Sequence, residues 1–221
     1  MTPRGTSRRL TAAGPEEATS ARGQSLVEFA VLVPLFMLIL IGMLEFGLMF
    51  NHNLTLQYAT REGARVGAAL ANGLNSSGTQ VVFCPTPAGA NDPDCFVVAA
   101  VQRILQSNGS PIKMSDIGQI RIYSADAAGN QIGSQVDVWT YSPGSGPVVD
   151  GANLNFARSG SNGWPASSRD NGANPDSVGV SISYTYHYTT PLASVLGFFG
   201  GPAASTQQMT DRTVMALNPS Q

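Results

Sequence analysis

Residues 23–50 read GQSLVEFAVLVPLFMLILIGMLEFGLMF, and Phe29 to Leu44 within them form a run of 16 uncharged, overwhelmingly apolar residues. After Glu45 the apolar character resumes through Phe46, Leu48, Met49 and Phe50. Sixteen helical residues rise ~24 Å and 22 rise ~33 Å, which brackets a hydrocarbon core of about 30 Å. The stretch therefore predicts a transmembrane helix over about 29–50. No small-x-small cleavage site comes after it, and no Cys for lipid attachment, so the span is expected to remain in the mature chain. Arg4, Arg8, Arg9 and Arg22 precede the span, whereas only Arg61 and Arg65 come closely after it. The positive-inside bias predicts a single-pass bacterial membrane protein with a cytoplasmic N-terminus and everything after the span exported.

The rest of the composition agrees with an exported, non-catalytic chain. Of 221 residues, 43% are hydrophobic and 12% charged, with a formal net charge of -2 and 12 Lys+Arg. No basic stripe exists to neutralise phosphates, which excludes a nucleic-acid partner. Two cysteines and two histidines, far apart, assemble no metal cluster, and no cofactor is expected. Cys84 and Cys95 bracket a Pro/Gly/Asp-rich loop and lack the CxxC spacing of a redox centre. In an oxidising compartment such cysteines pair, and closing the loop is worth ~3 kcal/mol on the chain-entropy model. The alternative is two unrelated small core residues.

The entry to the span is chemically odd. Glu28 abuts a bilayer-spanning helix, where an unpaired carboxylate is costly. A helix beginning near Gln24 would place Glu28 in its first turns, where the macrodipole favours an acid. Gln24 and Glu28 also share a helical face. Cleavage after Gly23 would create an α-amino group on Gln24, able to neutralise this Glu28 or that of a neighbouring helix. Without cleavage, Gly23 is a flexible helix entry.

A basic leader ending in Gly, an acid five residues further on and an apolar helix together resemble a type IV prepilin, and Gly23-x-x-x-x-Glu28-Phe29 resembles the Flp (type IVb) branch. Gly23-Gln24-Ser25-Leu26-Val27-Glu28-Phe29-Ala30, then Pro34, Glu45-Phe46-Gly47 and Ala59-Thr60-Arg61-Glu62-Gly63-Ala64-Arg65, are similar to the TadE-like family. Its members are minor pseudopilins of the tight-adherence (Flp pilus) machinery. The resemblance implies that a prepilin peptidase cuts between Gly23 and Gln24. It implies that Glu28 and Phe29 set subunit register, and that other pilin or Tad subunits are partners through the N-terminal helix.

Beyond the span, Leu54, Tyr58, Arg61/Glu62, Arg65/Val66 and Ala69/Leu70 step by three and four, so the helix is expected to continue to Asn72 and stop at Gly73. Gly63 and Gly67 have small-xxx-small spacing, suited to close packing or simply tolerated. For Glu45 two readings stand: a carboxylate reaching toward headgroups, or a site that pairs with another subunit's cation. Phe96, Val97, Ala100, Val101, Ile104 and Leu105 predict a second helix, with Asp94 as N-cap and Asn108-Gly109 as stop. Strands are expected over 119–124, 136–141 and 207–217. The clearest is Val178 to Thr189, where Val178, Val180, Ile182, Tyr184, Tyr186 and Tyr188 alternate with small or polar residues. In residues 142–177, Gly, Pro, Ser, Asn and Asp fill 25 of 36 positions, which reads as a long surface loop or disorder. Its Asp170 to Asp176 run is turn chemistry rather than a calcium loop. Leu192 to Phe199 is expected to tuck under the sheet rather than touch membrane.

The domains expected are a leader 1–23, a long helix 24–72 and an extracytoplasmic α+β domain 73–221 with an antiparallel sheet, type IV pilin-like. No oriented base stands beside a nucleophile: His52 lies on the membrane-proximal helix and His187 on the polar face of a strand. An enzyme with a small-molecule substrate is not expected. The function implied is pilus assembly and surface adherence. The alternatives are an uncleaved scaffold of the Tad secretion machinery and an anchored ligand-binding domain.

Overall fold

A computed structural model describes residues 17–75, 77–79, 82, 84, 93–201 and 205–218, with backbone alone for 17–22, 195, 196, 199 and 200. Most of the leader, 1–16, and the loop 85–92 lie outside the described residues. Helix α1 runs Glu17–Leu70 and carries Pro34 inside it. It passes through the Gly23–Gln24 peptide instead of starting there. Glu28 is therefore 11 residues in, beyond the reach of the N-terminal partial charge, which acts over about one turn. The chain divides into two compact units, Met1–Leu44 and Glu45–Gln221.

Among the described residues of the first unit, no second element packs on the helix. Leu26, Val27, Phe29, Val31, Leu32, Leu35 and Phe36 are all more than half exposed, on every side of the helix. So much apolar surface is compatible only with a lipid or protein environment.

The second unit is α+β. Its part of α1 buries Leu56, Ala59, Thr60, Ala64 and Ala68, a stripe at three-and-four spacing. The stripe packs on helix α2 (Asp94–Leu105) and on a five-stranded antiparallel sheet. The strands are β1 (Ile117–Ala125), β2 (Gln131–Tyr141), β5 (Phe156–Ser159), β6 (Ser177–His187) and β7 (Thr206–Ala216), in the order β5-β2-β1-β6-β7. A Cβ on Gly63 would lie 2.6 Å from Val101 and 3.2 Å from Val180, so the helix sits closer than any larger residue allows. At Gly67 the neighbours are Val178 and Val97, whereas Gly42 and Gly47 meet nothing. The close-packing reading therefore holds for Gly63 and Gly67. The helix stops after Leu70: Ala71 and Gly73 take φ of 50° and 67°, the left-handed turn expected at such an end.

Ile120 faces Trp139 on β2 and Ile182 on β6 across the sheet centre. A bulge between Ile117 and Gln119 resets the alternation, so Ile117, Ile120 and Ile122 are all buried. Cys84 and Cys95 form a disulfide, Cα–Cα 5.5 Å, which ties the preceding segment to the first turn of α2.

Three expectations are corrected. Residues 142–177 are not a structureless loop. They contain the hairpin β3 (Val148–Val149) and β4 (Ala152–Asn153), strand β5 and a 3-10 turn at Ala166–Ser168, and they bury Phe156 and Trp164 completely. A few large anchors organise a chain whose average composition reads as loop. Asp94 does not cap α2: it is the helix's first residue, Pro93 occupies the cap position, and no side-chain cap bond forms. Leu192–Gly200 is a short helix, α3, and its Phe198 is 84% exposed, not tucked under the sheet.

Candidate assembly surface

Glu28 projects from the exposed apolar helix and accepts a hydrogen bond from the Gln24 side-chain amide at 3.0 Å, one turn back. Both residues are exposed, as are Gly23 and Phe29, and a Cβ on Gly23 would meet nothing within 4 Å. The structure thus places all four expected residues on one accessible stretch of helix. Among the described side chains, Glu28 has this neutral amide beside it and no cation.

Glu45 is the opposite case. It is 2% exposed. One carboxylate oxygen accepts from the Tyr186 hydroxyl at 2.5 Å and the Thr189 backbone N–H at 3.0 Å, and the other from the Thr190 N–H at 2.9 Å. Burial, then the neighbouring carboxylate, pushes the Tyr186 phenol above its ordinary range. Neither reading of Glu45 survives: it meets neither headgroups nor a second subunit, because its own domain satisfies it. His52, two turns on, stacks edge-on against Tyr186 with ring centroids 4.9 Å apart. His187 is exposed, 4.0 Å from Asp116.

Further along α1, Thr60 donates to Asp211 and lies 3.1 Å from the Thr213 hydroxyl, joining the helix to edge strand β7. Arg65 grips Glu62 with two hydrogen bonds, at 2.7 and 2.9 Å, which hold the Glu62 carboxyl below its usual range. Tyr58, Arg61, Glu62 and Arg65 line a groove of about 440 Å³ with Ile104 and Met215. It offers charge and apolar surface together.

The largest electrostatic feature carries almost no local signal. Asp94 on α2, Asp137 on β2, Arg158 on β5 and Arg169 after the 3-10 turn form a buried four-charge cluster with no net charge. Arg169 contacts Asp94 at 2.7 Å and donates to the Trp164 carbonyl at 2.9 Å. Arg158 lies 3.7 Å from both carboxylates, and Asp137 also accepts from the Gly163 N–H at 2.9 Å. The guanidinium groups stack over Trp139 and Trp164, at 5.1 and 4.4 Å. Burial pushes the Asp94 carboxyl up to about 6, against the pull of Arg169. With side chains at most 8% exposed, the cluster clamps residues 142–177 to the domain and faces no substrate. Its one trace in the sequence is a pair of arginines in an otherwise loop-like stretch. Among the described residues no group of three or more His, Cys, Asp or Glu is placed to hold a metal ion.

These features define a class: a chain with one helix long and apolar enough to cross a membrane, followed by an α+β domain with an antiparallel sheet. Residues 23–65 match the family model of TadE-like proteins, the family that the sequence motifs resemble. The match covers Gly23, Glu28, Glu45 and the 59–65 motif and leaves the sheet domain outside it. No curated protein and no solved structure matches the chain.

Proposed function

We propose that this protein is a minor pilin or pseudopilin of the Flp (Tad) pilus, processed by a prepilin peptidase between Gly23 and Gln24, and that it takes part in pilus assembly and adherence. The observation that carries this reading is the exposed Glu28 on an unpartnered apolar helix, five positions past an exposed Gly23. Cleavage would free an α-amino group on Gln24, one helical turn from Glu28, and replace an amide partner with a cation. In a bundle that cation neutralises the acid of its own or a neighbouring helix, which sets register between subunits. The leader then faces the cytoplasm and the α+β domain lies outside. There its disulfide is stable.

A second reading has one observation in its favour. Helix α1 continues unbroken through the 23–24 peptide, as suits an uncleaved anchor of the Tad secretion machinery. Intact mass of the protein from cells with and without their prepilin peptidase separates the two. Processing predicts loss of Met1 to Gly23 only when the peptidase is present. An unchanged mass in both strains overturns processing and leaves the anchored scaffold.

A further inference from the structure

We propose that α3 is a second membrane contact, lying in the interface of the bilayer that the apolar helix spans, with Phe198 at the acyl–headgroup boundary. Glu45 is the first residue of the folded unit, and the 16 residues before it are the uncharged run of the span. The chain therefore leaves the hydrocarbon between Glu45 and about Phe50, within two turns of this carboxylate. The same carboxylate binds the backbone N–H groups of Thr189 and Thr190, two residues ahead of α3. This staple holds the start of α3 at the level where the span ends.

The chemistry of the segment fits that level. No Asp, Glu, Lys or Arg occurs from Tyr188 to Thr210, and α3 itself is LASVLGFFG. A soluble helix with no charge would have a covered face, yet Phe198 is 84% exposed. On α1 next to the staple, Phe46 and Phe50 are 64% and 54% exposed, so exposed phenylalanines occur both beside the carboxylate cage and on the helix that begins just after it. Aromatic residues favour this zone of a bilayer, and a short apolar helix lies in its plane. A lipid surface is the occupant continuous with the span. The consequence is a domain seated on the membrane at two points instead of hanging from one helix.

The proposal rests on α1 spanning the bilayer, so the test reads both. In the full chain the native cysteines are paired, which leaves single Cys variants free for a thiol-reactive fluorophore. Leu35→Cys samples the span, Phe198→Cys samples α3, and Val148→Cys on β3 samples open water. The labelled proteins are placed in phosphatidylcholine/phosphatidylglycerol vesicles with and without lipids carrying a doxyl quencher. The signal is expected to fall at least about twofold at 35 and at 198 and hardly at 148. Quenching at 35 with none at 198 overturns the α3 contact and leaves the span. A dry, blue-shifted but unquenched probe at 198 also overturns it, because another protein then covers Phe198. No quenching at 35 overturns the span reading itself. Fluorescence of the buried Trp139 and Trp164 verifies that each variant is folded.

Discussion

Glu28 and Glu45 stand on one helix, 17 residues apart, each in apolar sequence, and they have opposite fates. Glu45 is enclosed by a hydroxyl and two backbone N–H groups from residues 186–190. Glu28 has the amide of Gln24 and open surroundings. The glycines repeat the contrast: Gly63 is pressed against two valines, while Gly42 touches nothing. In residues 45–70 the helix is a component of a domain and its unusual residues answer to that domain. In residues 23–44 it is unfinished, and its residues answer to another molecule or to lipid.

The contrast can be broken by measurement. All stabilities refer to the full chain in detergent, unfolded by denaturant and followed by tryptophan fluorescence. Glu45→Ala strands the Tyr186 hydroxyl and two N–H groups, at about 1–3 kcal/mol each, so a total loss of about 3–9 kcal/mol is expected. A loss below about 1 kcal/mol would make Glu45 as dispensable to the fold as Glu28 and end the comparison. Arg169→Ala leaves Asp94 buried without its closest cation and is expected to cost about 3–5 kcal/mol. Replacing both partners, with Asp94→Leu and Arg169→Met, is expected to recover more than half of that, because no charge of this pair is then left stranded.

Asp94 also gives the domain a pH signature. Its carboxyl is raised to about 6 in the fold from an ordinary 3.8. Between those values the native state holds a proton that the unfolded chain has released. This contribution to stability is therefore present on the acid side and lost as pH rises through about 6. Its size is at most about 3 kcal/mol. Denaturation from pH 4 to 7 should show this decline in the wild type and not in Asp94→Asn; parallel profiles would refute it.

Smaller effects remain. Gly63→Ala forces Val101 to move and is expected to cost about 1–3 kcal/mol, while Gly47→Ala is neutral or stabilising by up to about 1 kcal/mol. Equal thermal midpoints for the two variants would deny the close approach at Gly63. Glu28→Gln is expected to change stability by less than about 0.5 kcal/mol yet to remove the protein from sheared pilus fractions. Retention in those fractions would show that the Glu28 charge is not needed for assembly.

Much of the fold could be read from local pattern. Six residues alternating from Val178 to Tyr188 announced β6, and the valines and Ile104 announced α2, because one buried face imposes its own period. The misreadings share a cause. Asp94 looked like a cap because an acid before an apolar run is a common local signal, yet its partner Arg169 lies 75 positions on. Residues 142–177 looked like loop because Phe156, Trp164 and Arg169 are outnumbered by Gly, Ser and Asn. The candidate residues Gly23, Gln24, Glu28 and Phe29 are read from their order along the chain, and the structure places them on one exposed stretch of helix.

The sequence by itself determined the long apolar helix, the acid at its entry, the α+β character of the residues beyond it and the TadE-like likeness, since each depends on spacing within a few turns. Only the tertiary structure decided that Glu45 belongs to a cage, that two Asp and two Arg meet in the core, and that α3 starts from that cage with Phe198 exposed. Those outcomes depend on which distant backbone donors and cations reach a buried carboxylate, and desolvation makes that choice only once the chain is packed.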